Sequence, residues 1–156
     1  MRFAVVSDTH HDARGMKKLL AALPKVDGLC FLGDCSSDGA SLRDGLAILQ
    51  PQAAFYAVAG NNDLNSRDPR EVVLPVDGQR ILLTHGHSYR VKYQLDLLTY
   101  HALEVQACAA LFGHTHCPHV EYARGILLLN PGALCNGSYA LLDVRPDGLT
   151  PRLMTL

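Results

Sequence analysis

Residues 3–34 read FAVVSDTHHDARGMKKLLAALPKVDGLCFLGD. Phe3 to Val6 and Gly28 to Leu32 are short apolar runs rich in branched and aromatic side chains, the composition of buried strands. Between them, Met16, Leu19, Leu20 and Leu23 recur at helical spacing over Ala13 to Leu23, which predicts an amphipathic helix. Strand, helix and strand in this order make a crossover unit with parallel strands. Each strand runs into a polar cluster, Asp8-Thr9-His10 after the first and Gly33-Asp34 after the second.

The same unit continues outward. A helical pattern at Leu42, Leu46 and Leu49 covers Ser41 to Leu49, and a third apolar run, Ala53 to Ala59, leads into Gly60-Asn61-Asn62-Asp63. Glu71 to Val76, Asp77-Gly78 and Gln79 to Leu83 predict a β-hairpin, since Asp-Gly suits a turn with positive φ. Ile81 to Leu83 leads to His85-Gly86-His87, and Ala107 to Phe112 leads to Gly113-His114-Thr115-His116. A third helix is expected from about Val91 to Val105. After Gly113 come strand-like runs at Val120 to Ala123, Ile126 to Leu129, Tyr139 to Val144 and near Arg152 to Met154, with an antiparallel look. The expectation is therefore a mixed α/β chain.

Five apolar runs ending in His, Asp or Asn clusters are the functional signal. Loops at the carboxyl ends of strands in open α/β sheets converge on one crevice, so residues far apart in sequence meet there. The collected donors are carboxylates, an amide and histidines without thiolates, a mixture that suits Mn, Fe, Zn, Co or Ni. They exceed one ion's needs, and one carboxylate can bridge two ions about 3.5–4 Å apart. Asp34, the lone acid at its strand end, is the expected bridge.

These motifs resemble the calcineurin-like metallophosphoesterases, and most closely their short YfcE-type phosphodiesterase branch. The resemblance rests on Asp8-x-His10, Gly33-Asp34, Gly60-Asn61-x-Asp63, His85-Gly86-His87 and Gly113-His114-Thr115-His116 in the family's order, followed by Asn130-Pro131-Gly132. It spans nearly the whole chain. It implies a four-layer α/β/β/α sandwich with two mixed sheets flanked by helices. One metal ion would then take Asp8, His10, Asp34 and His116, and the other Asp34, Asn61, His85 and His114. The implied reaction is phosphate-ester hydrolysis by in-line attack of a hydroxide bridging the two ions, with Asp34, Asn61 and His87 as catalytic residues. Mn is the first expectation for the metal, with Ni, Co, Zn or Fe as alternatives.

Three departures qualify the resemblance. Asn62 stands where many members carry histidine, and an amide cannot be a general acid. Leaving-group protonation then falls to His87 or solvent, or is unnecessary for an acidic leaving group such as a phenol. Asp38 lies four residues after Asp34, whereas the phosphatase pattern has an acid three after its bridge, and it receives no catalytic role. Ala133 replaces the branch's usual serine.

Simpler readings exist for single residues. Asp8 could cap the first helix, and Asn61 could belong to a turn. His11, His101 and His119 match no motif position and stay outside the expected site. Cys35 and Cys117 read as packing residues, and Arg90 and Lys92 as either phosphate contacts or solvated charge.

With 156 residues and five cysteines that form no Cys-x-x-Cys pair, the expectation is one domain, residues 1–156, with reduced thiols. A formal net charge of -1 disfavours dedicated nucleic-acid binding. No apolar run approaches the roughly 18 residues of a membrane span, and the first strand has no basic leader before it, so a cytoplasmic protein is expected. The partner is a small phosphate ester, with self-association open. Two rival functions share the resemblance: a protein-binding scaffold like the small subunit of retromer, and a nuclease of the same superfamily.

Overall fold

Side chains of strand β1 (Arg2–Val6) alternate between two packings, and that alternation defines the layers. Phe3 and Val5 face a core shared with a second sheet, while Ala4 and Val6 lie under helices. A computed structural model describes all residues, 1–156. In chain order the elements are β1, α1 (Ala13–Ala22), β2 (Gly28–Phe31), α2 (Ser36–Leu49), β3 (Ala54–Ala57), β4 (Glu71–Val76), β5 (Gln79–Thr84), α3 (Asp96–Glu104), β6 (Ala109–Leu111), β7 (His119–Ala123), β8 (Ile126–Asn130), β9 (Ser138–Arg145) and β10 (Gly148–Thr155). Short 3-10 turns span His87–Tyr89 and Leu134–Asn136.

Two five-stranded sheets result, in the orders β10-β9-β1-β2-β3 and β4-β5-β6-β8-β7. In the first, β1, β2 and β3 are parallel, with β9 and β10 antiparallel beside them. In the second, β5, β6 and β8 are parallel, flanked by antiparallel β4 and β7. The sheets meet through Phe3, Val5, Leu32, Ile81, Leu83, Leu111 and Leu129, among others. Met16 and Leu19 of α1 and Leu42 and Leu46 of α2 cover the outer face of the first sheet. Leu98 and Ala102 of α3 cover the second. This is the four-layer arrangement expected, with both sheets mixed.

Three expected boundaries shift. Helix α2 begins at Ser36 rather than Ser41, because Asp63 Oδ1 accepts the backbone N–H groups of Cys35 (2.9 Å) and Ser36 (2.6 Å). A cap supplied from a distant loop leaves no local sequence trace. Helix α3 starts at Asp96 rather than Val91: Arg90 lies at φ 54, and Val91 and Leu95 pack against the helix's cluster from irregular chain. Strand β10 covers Gly148–Thr155 rather than a short run at Arg152, pairing along all of β9. As an edge strand it tolerates Pro151. The antiparallel look holds for β7 with β8 and for β9 with β10, whereas β8 also runs parallel to β6.

The topology brings the carboxyl ends of β1, β2, β5 and β6 together. Asp8 N–H donates to Gly33 O at 3.1 Å, and Gly113 N–H donates to His85 O at 3.1 Å. Across the sandwich, His114 N–H donates to Asp8 Oδ2 at 3.0 Å.

Candidate metal centre

Asp8 leaves β1 with its carboxylate fully buried. Its Oδ2 accepts from Ser7 Oγ at 2.6 Å and from the His114 backbone, yet Oδ1 is buried without any hydrogen-bond donor. His116 Nε2 approaches that oxygen to 3.1 Å at an angle that makes no hydrogen bond, and His10 Nε2 stands 4.0 Å from it. The two imidazole nitrogens face one another at 3.2 Å.

A second group surrounds His85, whose side chain is fully buried. Its Nδ1 lies 2.7 Å from Leu32 O; a carbonyl only accepts, so Nδ1 carries the proton and Nε2 of the neutral ring is a lone pair. That lone pair faces Asn61 Oδ1 at 3.1 Å, His114 Nδ1 at 3.2 Å and Asp34 Oδ1 at 3.5 Å. Burial, then the neighbouring His85 and Lys92, push the His114 imidazolium down to about 4, so the ring is neutral at neutral pH and keeps a lone pair on one of its two nitrogens. Asp8, Asp34 and His85 place ligand atoms within 4.8 Å of one another and join the two groups.

Acceptors that converge without donors repel one another and cost several kcal/mol when desolvated. Buried Asp8 Oδ1 and the His85 lone pair therefore fit divalent cations, whose charge such a donor set would satisfy. The backbone carries strain at the same place. Of eleven non-glycine residues with positive φ, seven are Asp8, His10, His11, Asp34, Cys35, His114 and His116. Left-handed backbone at a non-glycine residue costs on the order of 1 kcal/mol, and this clustering ties the strain to the site rather than to turns in general.

The structure brings together every residue of the expected ligand set: Asp8, His10, Asp34, Asn61, His85, His114 and His116. His87 lies on their margin, its ring 5.5 Å from that of His85 and 6.1 Å from that of His114. Arg70 Nη1 is 3.1 Å from His87 Nε2. A guanidinium only donates, which leaves the His87 proton on Nδ1, a buried atom with no partner. Burial, His85 and Arg70 all lower the His87 pKa. Asn62 does not reach outward: its Nδ2 donates to Asp34 Oδ2 at 2.8 Å and its backbone N–H to Asp34 Oδ1 at 3.1 Å.

Two supporting residues were quoted in the motifs without a role. Asp63 accepts four backbone N–H groups, from Asp34, Cys35, Ser36 and Gly60, at 2.6–2.9 Å, and so clamps the loops of Asp34 and Asn61 together. Burial raises its pKa, but the four N–H groups outweigh that and hold it below the ordinary carboxylate value. Asn130, fully buried, donates to Gly113 O (2.8 Å) and Thr115 Oγ1 (3.0 Å) and accepts from Gly132 N–H, which fixes the His114–His116 loop. Their signal was position inside a motif. His101, set aside from the sequence, faces Glu71 at 3.2 Å and stacks on Tyr89, away from the centre.

Gly60 is required by close approach. A Cβ there would overlap Asp34 Oδ1 and stand 2.5 Å from the Asp34 backbone nitrogen. Gly60→Ala is expected to cost about 1–2 kcal/mol of stability through this overpacking and to lower turnover about tenfold by shifting Asp34. Thermal melting and steady-state kinetics of the variant check both.

Comparison with known proteins is consistent with this chemistry. Residues 1–147 match the calcineurin-like phosphoesterase superfamily domain. The probable metallophosphoesterase YsnB of Bacillus subtilis is 31% identical, over 97% of this chain and 89% of its own. A crystal structure from Streptococcus pneumoniae, described as a predicted phosphoesterase, superposes with a TM-score of 0.80 at 26% identity, covering 99% of this chain and 88% of that one. A single mutant of Vps29 from Entamoeba histolytica gives 0.82 at 21% identity over 100% and 93% of the two chains, a likeness of fold alone. The family implies divalent metal ions and phosphoester hydrolysis. With its fold, its converging acceptors and the match over residues 1–147, the chain belongs to the calcineurin-like phosphoesterase superfamily.

Proposed function

We propose that the chain is a dinuclear-metal phosphodiesterase. Its ligands are Asp8, His10, Asp34, Asn61, His85, His114 and His116, and residues 1–156 act as one unit. The observation that carries this reading is the convergence of acceptors on His85 Nε2, with the unpartnered Asp8 Oδ1 beside it. Oxygen and imidazole donors without a thiolate favour manganese, with nickel, cobalt, zinc or iron also suited. Bound divalent ions would supply Lewis acidity, lowering the pKa of water and offsetting charge on phosphoryl oxygens.

The chain's own groups do the rest. Asp34, held by both N–H donors of Asn62, presents its carboxylate beside Asp8 and His85, where the two groups of ligands join. Asn61 turns its amide oxygen inward, and Asp8, anchored by Ser7 and the His114 backbone, keeps Oδ1 free for a cation. A rotation of the His87 side chain would bring its Nδ1–H, buried and unpartnered at rest, to a bound phosphoryl oxygen. With Arg70 donating to the other nitrogen, His87 is neutral and does not act as an imidazolium acid; with Asn62 unable to donate a proton, the site lacks a strong acid for the leaving group. That favours small diesters whose leaving group is itself acidic.

His87→Ala is expected to lower kcat/KM about tenfold, roughly 1.4 kcal/mol, the size of one hydrogen bond to a charged group. The test of the diesterase reading compares bis(p-nitrophenyl) phosphate with p-nitrophenyl phosphate on manganese-loaded protein. Faster diester cleavage supports it, and a monoester preference overturns it. Inertness towards both, with two ions bound, would instead favour a protein-binding role.

A further inference from the structure

Beside the centre, a different set of donors converges. His11 Nδ1 lies 3.1 Å from Cys35 Sγ and 3.6 Å from Asp38 Oδ1, and all three ligand atoms fall within 4.8 Å of one another. They come from the loop after β1, the loop after β2 and the first turn of α2. The same His11 nitrogen faces both the sulfur and the carboxylate. A nucleophile–base–acid relay would need the carboxylate at the opposite nitrogen, so the geometry is that of a ligand set converging on a point.

Asp38 supplies an independent observation. Its side chain is only 9% exposed; Oδ2 accepts the His11 backbone N–H at 2.8 Å, and Oδ1 turns toward the His11 ring, 3.6 Å from Nδ1. A largely buried carboxylate beside an imidazole and a thiol offers the mixed oxygen, nitrogen and sulfur donors of a transition-metal site. The cluster borders an open pocket of about 480 Å³ that His10 and Asn62 also line.

We propose that His11, Cys35 and Asp38 form a third metal site, with sulfur, nitrogen and oxygen donors, for a thiophilic divalent ion of the zinc class. Three protein ligands leave the fourth tetrahedral position open to water. Binding displaces the Cys35 thiol proton to solvent, and the ion takes the thiolate. The donor set separates this site from the oxygen and imidazole centre, which suits harder ions, and it does not depend on that centre being catalytic. An ion held here would add positive charge to the wall of the pocket.

The experiment is a cobalt(II) titration of the full, reduced chain, read by the near-ultraviolet thiolate-to-cobalt charge-transfer band, which the oxygen and imidazole centre does not produce. One equivalent per chain is expected to develop the band. Cys35→Ser abolishes it, and His11→Ala, which leaves every thiol in place, weakens cobalt affinity at this site at least tenfold. His114→Ala, which removes a donor from the other centre alone, retains it. Absence of the band at saturating cobalt would overturn the proposal. So would a band that survives Cys35→Ser, because the thiolate would then be Cys117 or another cysteine.

Discussion

Asp34→Asn lowers metal-dependent kcat/KM by about 10³-fold, roughly 4 kcal/mol of transition-state stabilisation, while the protein stays folded. The substitution is nearly isosteric and keeps an oxygen for one of the two Asn62 donors, at Oδ1 or Oδ2. What it removes is the charge of a carboxylate that stands with Asp8 and His85 where the two groups of ligands join. It also sets an amide N–H₂ among groups already matched to a carboxylate. Stability without metal should be unchanged or slightly higher, since a buried anion among acceptors is costly. The wild type should instead gain stability on metal addition, by the mass-action stabilisation of a ligand that binds only the folded state, and the variant should gain less. Differential scanning calorimetry with and without manganese, beside steady-state kinetics, checks both halves. A variant that merely misfolds would lose stability in both conditions.

Asp63→Asn tests the clamp rather than the ligands. Four backbone N–H groups point at the carboxylate, and an amide would turn its own N–H₂ towards two of them. The expected cost is about 2–3 kcal/mol at neutral pH, with turnover down about 10²-fold as the Asp34 and Asn61 loops separate. The pH dependence has a definite sign. Because the folded-state pKa is lowered, the stabilisation is fully present above the unfolded carboxylate value of about 3.9 and is lost as pH falls through the folded value. The difference in stability between wild type and variant should therefore be constant near neutrality and shrink below about pH 4. Urea unfolding of both proteins across that range measures it.

Much of the centre was readable along the chain because its ligands follow apolar runs directly. Asp8, Asp34, His85 and His114 each stand one to three residues beyond a strand, where period and burial change abruptly. What escaped was nonlocal. The start of α2 depends on Asp63, 27 residues further on, and no local propensity reports such a cap. The division into two sheets came from the resemblance and not from the residues, since apolar runs of similar length do not say that β9 returns beside β1 while β8 joins β6. The cluster of His11, Cys35 and Asp38 was missed for a related reason. Each residue has an ordinary explanation alone, and only the fold sets the three together. In the sequence alone β10 looks short because its exposed alternation and Pro151 read as loop, whereas an edge strand allows both.

Whether the centre hydrolyses diesters with two metal ions is decided by hydrolysis of bis(p-nitrophenyl) phosphate by metal-stripped protein titrated with manganese. No activity is expected without metal, and a rise that saturates at two ions per chain in the oxygen and imidazole centre, with Asp34→Asn flat throughout. Full activity in stripped protein, or none with two ions demonstrably bound, would contradict it.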